Sequence, residues 1–291
     1  MLQALDTAPH CGASGPAGPQ LVMSSIFVPD GETLVPTALA RGPWDPTAMH
    51  GGPPSALLTR AVEAAEVPEG VSMLMVRITV ELLRPIPIEP LVVRAEVVRP
   101  GRRVQLVEAT IEHAASGTEL ARARALRIRE APVPLPYEDP VRGPLLVGEP
   151  APPPPETGMP SQSTIETDIA FHQDGIELRF VEGMWNEPGP VTMWGRLRAP
   201  LVPGEEPSPL QRTVALSDMG NGVSGIVDFE THMFINPELT VHVWRRPAGE
   251  WIALRSRSDL SRNGVGLAYS SLYDAGGIVG RAEQSLYVDT R

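Results

Sequence analysis

The feature that most constrains this chain is an internal duplication. From Ser25 to about Arg129 the order is an Asp30-Gly31 turn, a strand, Trp44, a helix opening at His50-Gly51-Gly52, and then a run of strands. From Thr164 to Arg291 the same order returns: Asp174-Gly175, a strand, Trp185, a helix ending near Asp218, and strands again. A repeated unit that cannot bury its own apolar face docks on its copy and shares one core with it. Laying the final strands over each other without gaps places Arg122 on Arg281, Ala123 on Ala282 and Ala125 on Gln284. The copies share a frame and differ in polar residues, so one is free to keep chemistry while the other drifts.

Four segments follow. Residues 1–22 are a Gly/Pro/Ala-rich leader expected to be disordered, 23–130 the first repeat, 131–163 a proline-rich linker, and 164–291 the second repeat. The linker holds Pro152-Pro153-Pro154-Pro155 and lacks the donors for a helix or a central strand, so it is expected to run extended over the surface. In the first repeat, Pro53 and Pro54 fall at a first helical turn, where a missing N–H costs little. Ala56, Leu57, Leu58, Ala61, Val62 and Ala65 then keep helical spacing. Strands are predicted at Met75–Leu82, Leu91–Val97, Val104–Glu112 and Glu119–Arg129. The second repeat predicts a helix from about Pro209 to Gly220 and strands at Leu239–Trp244, Trp251–Asp259, Val265–Tyr273 and Ile278–Val288, with Asn263-Gly264 a tight-hairpin signal. This is an α+β chain, expected as two tandem antiparallel sheets, each wrapped around one central helix.

Composition removes several functions. A net charge of −11 argues against sequence-independent nucleic-acid binding, which needs Lys and Arg against phosphates. A lone cysteine, Cys11, allows no disulfide within the chain. No apolar run reaches the length of a membrane span, and the leader lacks the basic start and apolar core of a signal peptide, so a cytoplasmic protein is expected. There is no phosphate-loop motif, no Cys/His spacing for a metal and no Gly-x-Ser-x-Gly elbow. No metal or cofactor is therefore expected.

The helix start at His50-Gly51-Gly52, the helix end at Leu216-Ser217-Asp218 and the strand Ala282-Glu283-Gln284, in this order and within a duplicated unit, resemble the hotdog-fold thioesterases, and more closely the duplicated double hotdog acyl-CoA thioesterases of the TesB type. The resemblance covers nearly all of 25–291 outside the linker. It implies a double hotdog and an acyl-CoA substrate hydrolysed to the free acid and coenzyme A, with lipid metabolism as its setting. In that family an Asp, a Thr and a Gln order the attacking water. The Asp carries over to Asp218 and the Gln to Gln284. The Thr falls within Phe234-Ile235-Asn236-Pro237-Glu238-Leu239-Thr240, where Asn236 and Thr240 are the two candidates.

Those residue types suit the reaction. A carboxylate beside a neutral amide holds a water and accepts its proton. A helix start offers free N–H groups to a carbonyl oxygen, and glycine lets a substrate approach. The expected site is thus composite: His50, Gly51 and Gly52 bind substrate, and Asp218, Gln284 and Asn236 or Thr240 act on it. Duller roles stand beside each: a turn-stabilising acid for Asp218, a structural hydrogen bond for Gln284, a loop contact for His50 and a turn start for Asn236. Two arginine groups, Arg99/Arg102/Arg103 and Arg255/Arg257/Arg262, suit a coenzyme A phosphate or merely charged hairpin tips. The alternatives in function are a non-catalytic acyl-CoA-binding hotdog protein and a hotdog enoyl-CoA hydratase. A homo-oligomer is open.

Overall fold

The computed structural model describes residues 25–133, 149–161, 168–185 and 187–291, with the backbone of a short strand pair at 138–139 and 143–144. The leader and the middle of the linker lie outside the described residues. The first repeat contains β1 (Phe27–Asp30), β2 (Thr33–Pro36), α1 (Gly52–Ala64), β3 (Met73–Leu82), β4 (Leu91–Arg99), β5 (Val104–His113) and β6 (Glu119–Arg129). The linker ends in β7 (Met159–Pro160). The second repeat contains β8 (Ile176–Glu182), β9 (Val191–Leu197), α2 (Pro209–Ser217), α3 (Gly220–Val223), β10 (His232–Ile235), β11 (Glu238–Val243), β12 (Ile252–Leu260), β13 (Val265–Asp274) and β14 (Gly277–Thr290).

These fourteen strands belong to one sheet, in the order β1-β2-β4-β5-β6-β3-β11-β14-β13-β12-β9-β8-β7, with β10 also on β14, and the short pair at 138–139 and 143–144 stands apart from it. The expectation of two sheets is corrected here: β3 and β11 pair antiparallel, Val80 opposite Leu239, Thr79 opposite Thr240 and Ile78 opposite Val241. The correspondence of the repeats explains this seam. Thr79 sits opposite Arg124, and Thr240 opposite Glu283, which is the counterpart of Arg124 in the gapless overlay. Thr79 and Thr240 are therefore the same position in the two copies, and they face each other across an approximate dyad. An element paired with its own equivalent is the geometry of an isologous interface, here closed within one chain.

The helices lie on the inner face and meet each other. Ala56, Leu57, Leu58 and Val62 of α1 and Leu210, Val214, Ala215 and Leu216 of α2 are buried in one apolar core with the inward residues of both halves of the sheet. Contact is close because Gly52 carries no side chain; a Cβ there would stand 2.6 Å from the Ala215 carbonyl oxygen. The strands alternate as pleated, half-solvated strands do. In β6, Ala121, Ala123 and Ala125 are buried while Arg122 and Arg124 are exposed.

The linker's tail is not a free tether. Trp194 Nε1 donates to the Pro153 carbonyl at 2.6 Å, Ile278 N–H donates to that of Glu149 at 2.9 Å, and β7 adds a short strand beside β8. Proline carbonyls still accept, so a segment poor in donors is fastened through donors that the second repeat supplies.

Candidate active site

The sequence predicts one helix ending near Gly220. The structure has two pieces: α2 stops at Ser217, Asp218 and Met219 keep helical dihedrals at the joint, and α3 continues for four residues. At this break, Asp218 turns its carboxylate away from the helix axis toward the first repeat. It is 3 % exposed and has three side-chain neighbours. His50 Nδ1 lies 2.9 Å from its Oδ2. Asn236 Nδ2 donates to Oδ1 at 2.9 Å, and Gln284 Nε2 to the same oxygen at 3.3 Å. Gln284 in turn accepts from the Asn221 backbone N–H at 3.1 Å.

Two glycines make the approach possible. A Cβ on Gly51 would stand 2.6 Å from Asp218 Oδ2, and one on Gly220 would stand 2.9 Å from Gln284 Oε1 and 2.8 Å from Ser270 Oγ. Gly51 therefore lets the first repeat's helix start touch the second repeat's carboxylate. At that helix start no side chain caps α1, and Pro53 and Pro54 bring no N–H, so Gly51 and Gly52 hold its available backbone donors. The Gly52 N–H points at His50 Nδ1, 3.0 Å away. One ring nitrogen cannot donate to Asp218 and accept from Gly52 at once. When its proton is shared with the carboxylate, the Gly52 N–H is released.

His50, Gly51, Asp218, Asn221 and Asn236 all line a cleft of about 1390 Å³ between the repeats. The structure thus brings together five of the seven sequence-nominated residues around one carboxylate: His50, Gly51, Asp218, Gln284 and Asn236. Gly52 lies just behind, packed on Ala215 and Phe171. Thr240 is not part of the group. Its hydroxyl bonds Thr79 Oγ1 and Glu238 Oε2, each at 3.1 Å, on the dyad of the sheet. Of the two candidates left open for the middle member, Asn236 is the one beside Asp218.

Neither arginine group nominated for phosphate borders this cleft. Arg255 is engaged by Glu149 and Tyr273, and Arg257 by Asp259. Two residues escaped the sequence reading. Asn221, one turn after Asp218, extends the amide set, its Nδ2 3.4 Å from Asn236 Oδ1. His172 lies in a wide turn at Phe171–Gly175, which the sequence shows only as Asp174-Gly175. It is buried in the cleft wall with its ring parallel to Trp185, centroids 5.9 Å apart. Burial, with help from the nearby charge of His50, pushes its pKa down to about 4, so its imidazole is neutral near pH 7. Trp44 and Trp185, which hold similar places in the two repeats, both line the cleft. Among the described residues no cluster of three or more His, Cys, Asp or Glu is placed to hold a metal, and no helix is long and apolar enough to cross a membrane.

Comparison with known families shows what the chain belongs to. Residues 40–128 match the model of the acyl-CoA thioesterase N-terminal domain, and residues 148–288 that of the acyl-CoA thioesterase C-terminal domain. The chain belongs to the acyl-CoA thioesterase family. It is a thioester hydrolase by that membership. Solved structures extend the likeness at the level of fold. A putative thioesterase II from Thermobifida fusca YX is 20 % identical with a TM-score of 0.66, covering 91 % of this chain and 96 % of its own. A hot dog fold protein from Alicyclobacillus acidocaldarius is 16 % identical with a TM-score of 0.67, covering 92 % and 97 %. A TesB protein from Mycobacterium avium subsp. paratuberculosis is 17 % identical with a TM-score of 0.61, covering 90 % and 96 %. No curated protein matches the chain in sequence.

Proposed function

We propose that the cleft hydrolyses an acyl-CoA thioester by water attack assisted by Asp218, in a chain built as two fused hotdog units. The observation that carries this reading is the meeting of the Asp218 carboxylate with the Gly51–Gly52 helix start in one cavity, with amides from Asn236 and Gln284 holding the carboxylate. Both amides donate to Oδ1, which leaves Oδ2 to share the His50 proton and to accept from a water. That oxygen is the base: it takes the water's proton as the water oxygen bonds to the thioester carbon. The carbonyl oxygen becomes an oxyanion facing the N–H groups of Gly51 and Gly52 and the positive end of α1. Collapse breaks the C–S bond, and the proton on Asp218 passes to the departing coenzyme A sulfur.

Asn236 does here what a hydroxyl does elsewhere in the family the sequence resembles. Its amide donates to the carboxylate and its oxygen accepts from Asn221. A pair of amides orients Asp218 without competing for the proton, since neither titrates near pH 7.

The test is thiol release from acyl-CoA thioesters of several chain lengths. Asp218→Asn removes the base and keeps the shape, and is expected to lower kcat by about 10²–10⁴-fold with an unchanged far-UV spectrum. Tight acyl-CoA binding without thiol release in both proteins overturns hydrolysis in favour of a binding module. A His–Asp pair also serves hydration, so crotonyl-CoA is included; loss of its conjugated absorbance without thiol release identifies a hydratase.

A further inference from the structure

At its outer end the cleft carries an aromatic box drawn from both repeats. Trp44 packs on Phe229 with the ring planes tilted by 33° and centroids 4.3 Å apart, and meets the edge of Phe234 at 5.2 Å. The Arg291 guanidinium occupies this box, 4.5 Å from the Phe229 ring centre and 5.1 Å from that of Trp44. The same cleft is lined by four exposed carboxylates, Asp45 next to Trp44 in sequence, Asp228 and Glu230 on either side of Phe229, and Glu187, against the guanidiniums of Arg84 and Arg291. Electron-rich ring faces in a cleft lined by more carboxylates than guanidiniums attract a cation and repel an anion.

Resting on the hydrolase reading above, we propose that this box selects the acyl group: the preferred substrates are thioesters whose acyl chain ends in a cationic group, with Arg291 a resident cation that such a chain displaces. The segment that builds both places sets the length. Phe234 stands two residues before Asn236, and Asn236 contacts Asp218. Two residues of extended chain span about 7 Å, so the backbone positions of Phe234 and Asn236 stand on the order of 7 Å apart, and the acyl chain is matched to that reach. A chain of five or six atoms covers that distance. The nucleotide end of coenzyme A, a polyanion, is turned away from this wall by the same carboxylates. A quaternary ammonium is the best-suited cation, because its methyl groups pack on the rings and it has few water hydrogen bonds to lose.

Three thioesters of matched size test this: 5-(trimethylammonio)pentanoyl-CoA, its neutral isostere 6,6-dimethylheptanoyl-CoA, and the anionic adipoyl-CoA. The expected order of kcat/KM is cation, neutral, anion, with the cation ahead of its isostere by about 3- to 30-fold, the range of a partly desolvated cation–π contact. Trp44→Ala should bring that ratio close to one while the neutral ester is still cleaved. Arg291→Ala, which vacates the box, should raise it. A ratio at or below one in the unaltered protein, or one that Trp44→Ala leaves intact, overturns the proposal. If none of the three esters is cleaved, the hydrolase reading fails separately, and the box is judged by tetramethylammonium quenching of tryptophan fluorescence. A saturable component lost in Trp44→Ala supports the box, and its absence from the unaltered protein overturns it.

Discussion

The two repeats are the same fold with opposite choices at each end of the helix. In the first, α1 starts at Gly51 with no capping bond from that residue, its Gly52 N–H meeting only the His50 ring nitrogen, and runs unbroken for thirteen residues. In the second, α2 starts closed. Ser208 and Gln211 form a reciprocal capping box, with Gln211 N–H donating to Ser208 Oγ at 3.1 Å, and Glu63 from α1 accepts from both side chains. The helix then breaks at Asp218. One helix begins without a capping bond from Gly51 and the other carries an acid at its break, and the candidate site lies where the two meet.

The sheet beneath the helices differs in the same sense. Strand register puts Val97, Ala109 and Ala125 of the first repeat in the places of Ser258, Ser270 and Gln284 of the second. At these three positions the first floor is apolar. The second pairs Ser224 with Ser258 at 2.9 Å and Ser256 with Ser270 at 2.7 Å, all buried, behind Gln284. Buried hydroxyls persist when they satisfy each other. Duplication permits this divergence, because the first floor still supplies the shared apolar core.

The sharpest way to break the contrast is to give the second floor the first one's residue. Gln284→Ala removes a donor to Asp218 and the acceptor of the Asn221 N–H. It should lower kcat about 10²-fold, a loss comparable to removing one positioned donor elsewhere, with stability falling by about 1–3 kcal/mol for the unsatisfied amide. Kinetics and chemical denaturation on one preparation check both. Next in size is a pH effect confined to the second repeat. His172 is neutral in the fold down to about pH 4, whereas the unfolded chain protonates it near pH 6.5. Between these values the unfolded state binds more protons, so stability is full above pH 6.5 and falls toward pH 4, by up to about 3 kcal/mol. His172→Phe should flatten that part of the denaturation profile.

A third change addresses the open helix start. Gly51→Ala puts a methyl 2.6 Å from Asp218 Oδ2 and forces the carboxylate aside, with an expected loss of about 1–3 kcal/mol from overpacking and a fall in kcat larger than the rise in KM. The smallest effect tests the serines. Ser256→Ala with Ser270→Ala restores the first repeat's Ala95 and Ala109. Replacing both partners together should change stability by less than about 1 kcal/mol, whereas Ser256→Ala alone should cost more than the pair. Equal costs would show that the hydroxyl pair is not a unit.

Much of this was legible in the chain. The long strands announced themselves because one face is solvated and their side chains alternate, as in β6 and β14. The residues that meet in the cleft were nominated chiefly by the resemblance to the hotdog thioesterases, on Gly51-Gly52 and Asp218 at helix ends; that they lie within contact of each other is what the structure adds. The break after Ser217 was hidden, since Val214, Leu216, Met219 and Val223 keep an apolar helical rhythm through it. Asn236 and Thr240 lie four residues apart in one strand-like stretch, and only pairing partners tell a strand's start from its middle. The single sheet rests on Thr79 meeting Thr240, a contact 161 residues apart that no local pattern encodes. His172 was masked by a turn signal two residues later.

That seam has a consequence for what each half is on its own. Severed in the linker, either copy would present a long bare strand with buried-type residues at alternate positions, the kind of border that recruits any extended chain it meets. Tethering the copies presents each border with its proper mate as soon as both are made, and takes a sticky surface out of circulation. Separately expressed halves should therefore clump when alone and recover soluble, paired material when produced together.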